Sequence, residues 1–162
     1  MFQPISRPAA TGLALLVLSA ASGPAIAAPA CPQAGFTVVE PTASPATRPL
    51  QDRPHHAIFV RRDALTATAD ITEIKLAHDL GDTQLLLKFT PAAAARLHKA
   101  TENHDGMRIA FVADKTVVSA VTWSGPYGMD ADQGVQLSLG PSRPGLQRLV
   151  EAVRRCLSRA AP

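Results

Sequence analysis

The sharpest alternation of apolar and polar residues lies in the middle of the chain. Over Thr83–Phe89 (TQLLLKF), Leu85, Leu87 and Phe89 fall on one side and Gln84, Leu86 and Lys88 on the other, the period-two pattern of a half-buried strand. Ile71–His78 alternates more loosely, and the Leu80-Gly81-Asp82 turn signal between the two runs makes a β-hairpin. Thr90 as N-cap and Pro91 at the first helical position start a helix through Ala92–Glu102, which stops at Asn103-His104-Asp105-Gly106. Its inward stripe, Ala93, Ala94, Leu97, Ala100 and Thr101, is narrow and small-sided, so this helix should lie close against a sheet. Arg108–Val112 and Thr116–Trp123 form a second hairpin through Ala113-Asp114-Lys115. Apolar residues on both of its faces predict partial cover on each side. Pro126–Gly134 reads as a loop and Val135–Leu139 as a last strand. Ser142-Arg143-Pro144 opens a final helix whose apolar face is Leu146, Leu149, Val150, Val153 and Leu157. Upstream, Gly35–Glu40 and Ala57–Arg62 predict short strands, Pro41–Pro54 with its four prolines a loop, and Asp63–Asp70 a turn or one irregular helical turn. The pattern predicts an α+β fold: an antiparallel sheet of two hairpins plus extra strands, with two helices packed on one face.

The first 27 residues follow a different logic. Arg7 supplies a positive start, Thr11–Ala21 an uncharged apolar run, and Ala25-Ile26-Ala27 the small residues of a signal-peptidase cut. As a helix the run would be about 16 Å long, against the ~30 Å core of a bilayer, so it is expected to be a cleaved signal rather than an anchor. The expected division is a signal peptide at 1–27, an N-terminal arm with the Pro-rich loop at 28–56, and the α+β domain at 57–162. The expected location is periplasmic or secreted, soluble after cleavage. An exported protein meets an oxidising space, where Cys31 and Cys156 could be bridged, stapling the arm to the last helix. A buried thiol at Cys156 with an exposed one at Cys31 is the alternative. A lipoprotein reading of Cys31 fits poorly, because Pro29 lies two places before it and no Leu lies three places before it.

Charge and chemistry narrow the function classes. The 162-residue chain carries formal net charge +3. Removing the signal leaves about +2, too little for a dedicated nucleic-acid binder. The sequence has no G-x-S-x-G, H-E-x-x-H or C-x-x-C, and no phosphate-binding glycine loop. His55, His56, His78, His98 and His104 lack metal-ligand spacing, Ser119 has no evident base, and Asp130 and Asp132 read as turn residues. No cofactor, metal or catalytic residue is expected. Trp123 and Tyr127, the only Trp and Tyr, flank a Gly-Pro turn and would suit recognition of an extended peptide if exposed, with plugging of the core at the sheet end as the commoner alternative. The wet face of the last helix offers Arg154 and Arg155 to an acidic partner.

The ordered series Leu65–Ile71 (LTATADI), Leu85–Thr90 (LLLKFT), Ala93–Thr101 (AAARLHKAT), Glu102–Asp114 (ENHDGMRIAFVAD) and Val118–Val121 (VSAV) resembles the head subdomain of the first periplasmic domain of SecD/SecDF. These are membrane-embedded accessory subunits of the Sec protein-export channel. The resemblance covers about residues 59–157. Lys115 stands where the family has a turn Gly and Val121 where it has a Pro, and the family's transmembrane helices have no counterpart. The resemblance implies the α+β fold and, at most, a stand-alone module that engages protein or extended polypeptide without chemistry, possible association with the Sec translocon included. Docking of an envelope complex through the Arg-bearing helix is the alternative expectation, and a hydrolase with an unrecognised site a third.

Overall fold

The computed structural model describes residues 30–79, 81–124, 134–141 and 145–160. The signal segment, Tyr127, Asp130, Asp132 and Ser142-Arg143-Pro144 lie outside the described residues. Two antiparallel sheets are formed by β1 (Ala34–Glu40), β2 (Thr47–Arg53), β3 (His56–Arg61), β4 (Ile71–Asp79), β5 (Asp82–Phe89), β6 (Arg108–Ala113), β7 (Thr116–Thr122) and β8 (Val135–Ser138). The five-stranded sheet runs β2-β3-β1-β6-β7 and the three-stranded sheet β4-β5-β8. Helix α1 (Pro91–Thr101) follows β5, and α2 (Leu146–Ala160) follows β8.

The α+β class, both hairpins and both helices are as expected, but the hairpins sit in different sheets. The pairing of β6 with β1, Ala34↔Ala113 through Val38↔Ile109, joins residues far apart in the chain, and local periodicity carries no signal for it. The expected N-terminal arm therefore supplies the central strand of a sheet. Pro41–Pro54 is also not all loop, since its second half is β2. Proline is tolerated there because β2 is an edge strand, where the missing N–H of Pro49 breaks no ladder.

One core is shared by the inner face of the small sheet, both helices and one face of the large sheet. Ile74, Leu85, Leu87, Leu97, Ile109, Phe111, Val150 and Val153 are all at most 2% exposed. Phe36 of β1 is its hub, 5.3 Å from Phe111 edge-on and 5.9 Å from Phe89 between ring centroids, so it ties β1 to β6 and to β5. The other face of the large sheet curls round a smaller core of Leu50, Ile58, Val60, Ala110, Val112 and Val117, bringing β2 towards β7. Cys31 and Cys156 are joined by a disulfide, with Cα atoms 5.7 Å apart, linking the residues before β1 to α2.

Candidate polypeptide-binding surface

β1 is flanked unequally. Along Ala34–Val38 it pairs with β6 on one side, yet it meets β3 only at Val39↔Val60 and Glu40↔Phe59. The flank of its first half is taken by the segment Leu65–Thr68, which caps it largely with side chains. Thr66 Oγ1 accepts from the Phe36 N–H at 2.9 Å and Thr68 Oγ1 from the Ala34 N–H at 2.7 Å, while the Leu65 N–H donates to the Phe36 carbonyl at 2.7 Å. The approach is close enough that a Cβ on Gly35 would stand 1.9 Å from the Thr66 carbonyl oxygen, so only glycine fits. Asp70 anchors the other end of this segment. Its carboxylate accepts from the Ala67 N–H at 2.8 Å and pairs with Arg96 of α1 at 2.7 Å, and its carbonyl accepts from the Thr90 N–H. Burial pushes the Asp70 carboxyl up, but the Arg96 hydrogen bond, the Ala67 N–H and the charge of Arg96 outweigh it and hold it below its ordinary value.

Beyond Glu40 the chain reaches Pro41, which has no N–H to extend the ladder, and β1 ends. β3 continues past that point. His56, Ala57 and Ile58 pair with β2 on one side and have no strand on the other among the described residues. That edge opens on a groove of about 900 Å³ running from the end of β1 to the end of α1. Val38, Val39, Pro41, Leu65, Ala100 and Met107 line its apolar part, and Glu40, His56, Arg61, His104 and Arg108 its polar part. Asp52 of β2, whose side chain is 9% exposed, bridges the rim with its carboxylate 3.6 Å from Arg108 and 3.8 Å from His56. The His104 Nδ1–H donates to the Glu102 carbonyl at 2.7 Å, fixing the ring at the groove mouth.

The residues picked from sequence are scattered about this surface. Trp123 is half-buried against the shared core, and its backbone pairs with Met107 and Gly106, one strand behind the groove wall. Arg154 is exposed, but its Nε–H donates to the Ile74 carbonyl at 2.8 Å, tying α2 to the outer edge of β4. Arg155 is exposed on α2. Ser119 lies on β7; of the described histidines only His56 and His104 share the groove, and among the described residues no three His, Cys, Asp or Glu side chains are grouped to hold an ion. The groove itself was missed. Its one legible signal is Glu40-Pro41, a strand ended by a residue that cannot donate.

The fold defined here is an α+β domain of two antiparallel sheets and two helices. No protein-family model and no curated protein matches the sequence. Solved structures match it in fold. One is of SecDF, a membrane component that enhances protein export, at 17% identity and TM-score 0.56, covering 76% of this chain and 62% of that one. Another is SecDF in a super-membrane-facing form, at 19% identity and TM-score 0.52, covering 76% of this chain and 18% of that one. The chain thus spans less than two thirds of the SecDF chains it matches. The likeness establishes a SecD-like fold, and no helix among the described residues is long and apolar enough to cross a membrane.

Proposed function

We propose that the protein is a non-enzymatic module that captures extended polypeptide, auxiliary to protein export and working outside the inner membrane. The observation that carries this reading is the edge of β3 at His56–Ile58, unpaired on one side and exposed at His56 and Ala57, set above a partly apolar groove. A chain laid in line with β1 would find main-chain donors and acceptors at the edge and apolar cover beneath, recognition that tolerates many sequences. The fold shared with an export component supports it, and the disulfide supports an oxidising compartment.

The test is peptide binding by fluorescence anisotropy combined with hydrogen exchange. Bound peptide is expected to slow exchange in His56–Ile58, and N-methylation at alternate peptide residues to abolish binding. Failure of every extended peptide to bind refutes the reading. Docking through Arg154 and Arg155 is less well supported, because Arg154 is already committed to β4; charge reversal at Arg155 that abolished partner pull-down would favour it.

A further inference from the structure

A second depression, of about 640 Å³, lies beside the Cys31 end of β1, where β2, β3 and the Leu65–Thr68 segment converge. Three arginines line it, Arg48 of β2 with Arg61 and Arg62 at the end of β3, and no carboxylate residue is among its lining residues. Their commitments differ. Arg61 is neutralised by Asp63 just outside, through Nε–Oδ1 at 3.0 Å and a second contact at 2.7 Å that holds the Asp63 carboxyl below its ordinary value. Arg62 gives its Nε–H to the Pro45 carbonyl at 3.3 Å and has no carboxylate partner among the described residues. Arg48 is half-buried, and its Nε is enclosed by protein with no acceptor. Of the other carboxylates, Glu40 adds to the field on Arg61, and Asp114 is occupied with the Gln33 N–H at 2.9 Å. Two guanidinium groups thus line one cavity with no carboxylate partner among the described residues, and one of them, Arg48, is half-buried with its Nε–H left without an acceptor there.

We infer that this cavity is an oxyanion site, taking a carboxylate or phosphate group between Arg48 and Arg62. The planar fork of each guanidinium matches two oxygens of such a group, whereas a chloride ion offers no such geometry. This site does not depend on the groove, although Arg61 lines both depressions.

The experiment is an NMR titration of the arginine Nε–Hε signals of the full chain at constant ionic strength, with inorganic phosphate in one arm and acetate in the other, and chloride as control. The Arg48 signal is expected to move and saturate while that of Arg155 on α2 stays still. Saturation with phosphate alone assigns a phosphate site, and saturation with acetate assigns a carboxylate site. Either supports the inference. Arg48→Met with Arg62→Met is expected to weaken binding about tenfold or more, and Arg48→Lys to recover only part of it. An Arg48 signal that never saturates, or that answers equally to chloride, overturns the inference; this readout uses the wild-type chain and does not rest on any variant folding.

Discussion

The disulfide offers the most quantitative test of the fold. Cys31 and Cys156 are 125 residues apart in sequence, so reducing the bond frees almost the whole described chain in the unfolded state while leaving most native contacts intact. The chain-entropy relation, 2.1 + 1.5R ln n cal/mol/K with n taken as that separation, gives about 5 kcal/mol at room temperature. Compactness of the unfolded chain reduces this, so Cys31→Ser/Cys156→Ser is expected to lose about 3–5 kcal/mol and roughly 10–20 °C in Tm. Urea unfolding followed by the fluorescence of Trp123 and by circular dichroism measures it. Reductant should lower the wild type to the level of the variant and leave the variant unchanged. The m-value should rise on reduction, because the freed unfolded chain exposes more surface. A loss below about 1 kcal/mol with an unchanged m-value would refute the entropic argument and mean that the residues before β1 are held as well without the bond.

Three further substitutions probe the segment that flanks β1. Gly35→Ala places a Cβ against the Thr66 carbonyl, both being backbone, so the segment must move; a loss of about 2–3 kcal/mol is expected in urea unfolding, and a loss under 0.5 would show that the contact relaxes freely. Thr66→Val keeps the shape and deletes the acceptor of the buried Phe36 N–H, with an expected cost of about 1–3 kcal/mol and faster exchange of that amide. Asp70→Asn is expected to cost about 1–2 kcal/mol near neutral pH, allowing for the partial exposure of Arg96. Because the folded Asp70 carboxyl lies below its unfolded value, its contribution is complete above the unfolded pKa of about 4 and is lost as pH falls through the folded one. The gap between wild type and Asp70→Asn should therefore close in strong acid, and a gap that persists there sinks the assignment.

What could be read from sequence was whatever repeats locally. Leu85, Leu87 and Phe89 are buried as their alternation requires, Thr90 Oγ1 accepts from the Ala93 N–H as its N-cap position requires, and Ala93, Ala94, Leu97 and Thr101 are buried at helical spacing. What could not be read was partnership across distance. β1 carries a buried run with no clean alternation, because both its faces are covered and its flank is closed by threonines rather than a strand. Arg154 looked like a displayed charge because helical spacing places it on the wet side, yet a long stem lets its head reach the β4 edge. The series Leu65–Ile71, which carried much of the family resemblance, is thus explained by structural duties: Leu65 and Thr66 bond Phe36, Thr68 bonds Ala34, and Asp70 fastens α1.

Those duties also account for the open edge. Strands β1 and β3 would ordinarily pair along their full length, but the first half of β1 already has Leu65–Thr68 against it, admitted by the missing side chain of Gly35. β3 can meet β1 only at Val39 and Glu40, the last two residues before Pro41 ends the ladder. Since β3 is six residues long and antiparallel to β1, the displacement leaves His56–Ile58 overhanging. Gly35 and Thr66 stand at the far end of β1 from that overhang, yet they set how far β3 slides. A residue that closes one flank of a strand thereby opens an edge at its other end. If so, a folded Gly35→Ala chain should show changed amide exchange at His56–Ile58 before any groove residue is touched; unchanged exchange there would separate the closed flank from the open edge and leave Pro41 alone to account for it.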